Sequence, residues 1–250
     1  RRGLIEKHLL LYFKNPDVES LVEKYGWSGS TQILTCQEPN CTVNALFLVD
    51  ANLGVNKANY FIRRNLTDQI HLSDTGEVSH TINVTYKNSS PKDDALGGDY
   101  LTYFRLYQNG EATLKRAEVN GTALTLAKGE LASTSAVTSY SEREFNVFAL
   151  PLIVGVQEEK TVTLEYVMTR QFSINNGETG VFHVSLLKQP GVVGEAASVT
   201  VQYPSSWTYL QNADQTGGGA AGVNTIVKQG EITYNTAIAG DELFSLKFKH

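Results

Sequence analysis

Hydrophobic and polar positions change their rhythm between Leu46 and Tyr86. Leu46-Phe47-Leu48-Val49 is a continuous apolar run; the chain then passes through a polar stretch from Asp50 to Asn59 and resumes as Tyr60-Phe61-Ile62-Arg63-Arg64. From Gly76 onward the residues alternate, with Val78, His80, Ile82, Val84 and Tyr86 on one face. An unbroken run suits a strand buried on both faces, and strict alternation suits one with a wet face. The pattern therefore predicts a buried sheet handing over to a half-exposed one.

Upstream, His8 to Phe13 ends in an apolar run that reads as a buried strand. A punctuated helix follows: Asn15 as N-cap, Pro16 at the first helical position, Asp17 and Glu19 in the first turn, and Gly26 after the last periodic residue. Val18, Leu21, Val22 and Tyr25 share a face and are expected to pack on the strands. Residues 1–66 thus read as the end of a mixed α/β domain, and the opening Arg1-Arg2-Gly3, inside a helix pattern, leads to the expectation of further sequence before it.

Downstream the pattern is β throughout. Strands are predicted at 76–86, 100–107, 145–154 and 162–168, with turn signals at Asn88-Ser89-Ser90-Pro91, Gly97-Gly98, Asn109-Gly110 and Asn120-Gly121. Segment 67–172 reads as an immunoglobulin-like β-sandwich without the Cys and Trp pins of antibody domains. Strands at 182–187, 198–203, 230–234 and 243–248 suggest a second, smaller β-sandwich over 173–250. The fold class expected is mainly β: the remnant of an α/β domain followed by two sandwiches.

Composition agrees, since charged residues are 19% of the 250 and aromatics 10%. A net charge of -5 argues against a nucleic-acid partner, which needs surplus Lys and Arg to displace counterions. No apolar run reaches the eighteen or so residues of a membrane span. Cys36 and Cys41 flank Gln-Glu-Pro-Asn, where a turn would bring them together as a disulfide. Such a bond favours an oxidising compartment; two free thiols are the alternative.

Candidate chemistry is sparse. There is no Gly-x-Ser-x-Gly elbow, and the five His lack metal-ligand spacing, so no catalytic residue, metal or cofactor is assigned. His80 and His183 read as ordinary strand residues. Asp93, Asp94 and Asp99 fit a solvated turn better than a calcium loop. Gly217 to Gly222 is a flexible loop with no phosphate-cradle motif. Lys57, Arg63 and Arg64 form a basic group able to meet an anionic ligand, although such residues more often face solvent. Trp207 and Tyr209 could stack on a sugar ring, with a core-anchoring role as the commoner alternative. Asn-x-Ser/Thr sequons start at Asn40, Asn65, Asn83, Asn88 and Asn120.

The strings Lys7 to Phe13, Asn15-Pro16-Asp17, Gly26-Trp27, Val49 to Gly54, Asn56 to Tyr60, Val78 to Thr81, Thr85 to Pro91 and Leu187 to Gly191 resemble a bacterial family, domain of unknown function 4012. Members look like envelope proteins with an N-terminal membrane helix and an outward-facing region. Their upstream half is similar to the LytR-CpsA-Psr transferases, which move glycopolymers from a lipid carrier to the cell wall. The resemblance implies an extracellular region, held to the membrane only by a segment before Arg1; the β composition and the lack of a catalytic constellation lead to the expectation that this region is non-catalytic. Its partner would be a cell-wall glycopolymer or another envelope protein. The alternatives are the tail of a phosphotransferase bordered by the basic group, or a glycan-binding module.

Overall fold

The computed structural model describes residues 2–29, 33, 35–36, 38–91, 96–129, 133–169, 171–193, 195–210 and 223–250. Two short helices open the chain, α1 (Arg2–Ile5) and α2 (Pro16–Lys24). The strands are β1 (Cys41–Asn52), β2 (Ile62–Leu72), β3 (Val78–Asn88), β4 (Tyr100–Asn109), β5 (Thr113–Val119), β6 (Thr122–Ala123), β7 (Thr125–Lys128) and β8 (Ala136–Glu142). They continue as β9 (Phe145–Val154), β10 (Glu159–Met168), β11 (Thr179–Leu187), β12 (Glu195–Gln202), β13 (Thr208–Leu210), β14 (Asn224–Lys228), β15 (Glu231–Ile238) and β16 (Glu242–Lys249).

The strands form two eight-stranded mixed sheets, ordered β13-β16-β11-β1-β4-β9-β8-β7 and β14-β15-β12-β2-β3-β10-β5-β6. One hydrophobic core joins their inner faces, with Leu46, Phe104, Phe148 and Phe182 from the first sheet and Ile70, Ile82, Leu164 and Val199 from the second. Aromatic pairs such as Tyr86 with Phe104 and Tyr234 with Phe244 connect the layers.

The protein is mainly β, as the pattern predicts, but the arrangement differs from two successive immunoglobulin-like sandwiches. Segments 1–66, 67–172 and 173–250 interleave: β1 lies between β11 and β4, and β2 between β12 and β3. At the seam β1 runs parallel to β11 and β2 parallel to β12, whereas an immunoglobulin-like sandwich pairs antiparallel. The reason is physical. Alternation fixes which face of a strand is buried, but not which distant strand lies beside it.

The N-terminal region also departs from expectation. Asn15 Oδ1 caps α2 by accepting from the backbone N–H of Asp17 and Val18 at 3.0 and 3.2 Å. Yet only Val22 of the expected packing face is buried, and Val18, Leu21 and Tyr25 are exposed. Residues 8–13 form no strand; Leu11 makes an isolated bridge to Ser28. This segment is tied to the sandwich by Lys7 Nζ on Asp241 (2.5 Å) and by Lys188 Nζ donating to Glu6 O (2.8 Å). Cys36 and Cys41 are disulfide-bonded. Among the described residues no helix is long and apolar enough to cross a membrane.

Candidate functional site

Because β1 and β11 are parallel neighbours, they leave the first sheet at the same end. The two connections to the second sheet, at residues 53–61 and 188–193, therefore run side by side, and between them lies a cleft of about 560 Å³. That volume falls within the range of small-ligand sites, roughly 300–1,000 Å³. Its lining includes Asp50, Asn52, Asn59, Tyr60, Arg63, Arg64, Tyr100 and Gln189.

Asparagine side chains shape the first connection. Asn52 Oδ1 accepts from Gly54 N–H (3.0 Å), and Asn52 Nδ2 donates to Asn56 O and Asn59 Oδ1 (both 3.3 Å). Asn56 Nδ2 donates to Asp99 O at 3.0 Å, tying the connection to the start of β4. Gly98 leaves room for that amide: its φ is +118°, and a Cβ there would come within 2.9 Å of Asn56 Nδ2. The second connection is held by Gln189. Its side-chain amide accepts from Asp50 N–H (2.9 Å) and donates to Asp50 O (2.8 Å), so it continues the β1 ladder past the end of β11.

A buried ionic network underlies the cleft. Arg64 bridges Asp50 Oδ2 at 2.6 Å and Glu195 Oε2 at 2.7 Å, and all three side chains are under 8% exposed. Tyr86 donates to Asp50 Oδ1 at 2.9 Å, and Thr102 to the same oxygen at 3.4 Å. Burial works against the Arg64 cation, but the two carboxylates outweigh it and hold its pKa above the ordinary guanidinium value. Burial, then Asp50, pushes the Tyr86 phenol well up and the Tyr100 phenol up to about 12, so both stay protonated. Lys188 also lies in the field of Glu195. The formal charges of Arg64 and Lys188 thus stand against those of Asp50 and Glu195. Glu242, almost fully buried at the start of β16, is pushed up to about 7 by burial and then by Asp241. Among the described residues Arg64 Nε and Glu195 Oε1 have no hydrogen-bond partner.

The basic group expected from sequence is divided. Arg63 and Arg64 both reach the cleft, but Arg64 is already neutralised by its two carboxylates. Exposed Lys57 is not among the lining residues. An anion would meet Arg63 on the rim and a compensated floor.

Trp207 is only 4% exposed and packs against Phe172 and Phe248, while half-buried Tyr209 lies against Phe248. These rings fill the opposite end of the sandwich; Trp207 is almost fully covered there, and Tyr203 and Tyr209 line a recess of about 690 Å³ at whose edge it lies. His80 is buried with Asp68 (Nδ1 to Oδ1, 3.0 Å) and stacks on Tyr166; His183 meets Ser245 at 2.8 Å. Asp99 Oδ1 accepts from Val156 N–H at 3.0 Å; Asp93, Asp94 and the 217–222 loop lie outside the described residues. Asn88 of the fourth sequon is 1% exposed and donates to Gly98 O and Val154 O, which leaves no room for a glycan.

Sequence reasoning missed Asp50, Glu195 and Gln189 as site residues. A signal existed: Asp50 continues the inward phase of Leu46 and Leu48, Arg64 precedes Leu66 and Ile70 in theirs, and Glu195 precedes Ala197 and Val199. A charge in the buried phase at a strand end needs a partner.

No family model and no curated protein matches the chain. Among solved structures, it is similar to a candidate nutrient-binding protein from Legionella pneumophila, at 11% identity and a TM-score of 0.51. That match covers 82% of this chain and 71% of the other, so it runs across all three segments drawn from the sequence pattern. It shows a shared fold. Yeast LTA4 hydrolase (8% identity, TM-score 0.41) matches over 79% of this chain and 31% of its own. An M1 zinc metallopeptidase of Deinococcus radiodurans (14%, TM-score 0.35) matches over 75% of this chain and 41% of its own. The match thus spans less than half the length of either of these two proteins.

Proposed function

We propose that this protein is a non-catalytic binding module on the outer face of a bacterial cell envelope, and that the cleft between the two connections takes a sugar unit of a cell-wall glycopolymer. The carrying observation is the cleft itself: a ligand-sized space with the rings of Tyr60, Phe61 and Tyr100, the amides of Asn52 and Asn59, and a floor fixed by the Asp50–Arg64–Glu195 network. Rings beside planar polar groups suit a sugar, whose faces are apolar and whose edges carry hydroxyls. Stretches that carry the family resemblance, Val49 to Gly54, Asn56 to Tyr60 and Leu187 to Gly191, converge on this cleft. The Cys36–Cys41 bond fits an oxidising compartment.

Compensation of Arg64 by two carboxylates speaks against a phosphotransferase role for it. Titration of the protein with soluble cell-wall glycopolymer fragments tests the reading by calorimetry. Saturable binding that Tyr60→Ala weakens at least fivefold is expected. No binding by any fragment, or equal binding by the variant, overturns it.

A further inference from the structure

A second recess lies on the outer face of the first sheet. Outward residues of β1, β4 and β9 line it with Phe47, Val49, Arg105, Tyr107 and Phe145, and the end of β8 adds Glu142 and the β8–β9 turn Arg143, around a groove of about 370 Å³. It is separate from the cleft, and Gln189-Pro190 forms the wall between them.

Its charges are unevenly used. Arg105 lies between two rings, 5.9 Å from the centroid of Tyr103 and 5.6 Å from that of Tyr107, and donates to Tyr107 OH at 2.9 Å. Tyr107 OH donates in turn to Glu142 Oε2 at 3.0 Å, so the acid of the lining is already engaged. Arg105 Nε is buried with no hydrogen-bond partner among the described residues. Arg143 stands at the turn with φ +53°, in the left-handed region that a residue with a side chain rarely adopts, and Glu144 beside it is not part of the lining. Two guanidinium groups therefore face one engaged carboxylate over an aromatic floor. That balance favours an anion, and guanidinium suits a planar carboxylate.

The floor also bears on what carries the anion. An extended peptide commonly binds by adding a strand to an open sheet edge. Here β1, β4 and β9 are paired on both sides, so the groove offers rings and guanidinium groups and no free ladder. We infer that this groove is a binding site for an acidic oligosaccharide, whose carboxylates meet Arg105 and Arg143 while a ring face lies over half-buried Phe47. The inference goes beyond the cleft and does not depend on it.

Calorimetry with hexagalacturonate, on the full chain, tests it. Saturable binding is expected, weakening at least tenfold between 50 and 300 mM NaCl. Arg105→Gln is expected to weaken binding at least tenfold, and Arg143→Gly about threefold; glycine suits the positive φ, so that variant keeps its fold. Neutral maltohexaose and hexa-aspartate are expected to bind at least tenfold more weakly. Equal binding of maltohexaose, equal binding of hexa-aspartate, no binding of hexagalacturonate, or unchanged affinity in the Arg143→Gly protein would each overturn the inference.

Discussion

The two ends of this sandwich solve the same burial problem with opposite chemistry. Where β11 begins, Phe172, Phe182, Trp207 and Phe248 fill the space between the sheets with rings. Where β11 ends, the same interior holds Asp50, Arg64, Glu195 and Glu242. Rings stabilise through area and dispersion and need no particular partner. Buried ions cost several kcal/mol each to desolvate and persist only when paired. Similar burial is therefore reached at the polar end with less net stabilisation. The polar end is also where two connections run together and a cleft opens, so its residues fix a surface as well as fill a core.

Arg64→Ala should have the largest effect of any single change considered, because it strands two carboxylates: about 3–5 kcal/mol of stability lost at pH 7 by urea unfolding. Conservation of full stability would break the distinction between the ends. Phe248→Ala at the aromatic end should come next, about 3–4 kcal/mol, through the cavity left behind. Its loss should be the same at pH 5 and pH 8, since no charge is uncovered.

Glu242→Gln sharpens the contrast with a smaller effect. Its carboxyl stands at about 7 in the folded protein against an ordinary value of 4.5, so the folded state holds the proton more tightly than the unfolded state. That contribution is complete below about pH 4.5 and is lost as pH rises through 7. The variant should therefore gain about 6 °C in Tm over the parent at pH 8 and nothing at pH 4.5. An equal change at both pH values would mean that this carboxyl does not titrate in the fold.

Much of the strand content was legible because Val78 to Tyr86 and Val162 to Met168 alternate cleanly, and both became inward-facing strands. The helix at Pro16 was legible from its cap. Pairing was not. Arg64 meets Glu195 across 131 positions of sequence, and no local rhythm records that β12 will lie beside β2. The weak strands β5 to β8 escaped notice for a related reason: in β5 and β7 most residues are at least partly exposed, so apolar alternation is faint. Of the site, Arg63 and Arg64 were found by charge alone. Gln189 and Asp50 are joined through backbone and amide groups, which leave no mark in composition.

The most direct test compares both ends in one experiment, by following the amide and indole resonances of isotopically labelled protein during titration with cell-wall glycopolymer fragments. Binding in the cleft predicts shifts at Asn59 to Arg64 and at Gln189 to Val193 (Pro190 has no amide), with the Trp207 indole unmoved. A shifting Trp207 indole with the two connections silent would contradict the assignment of function to the polar end.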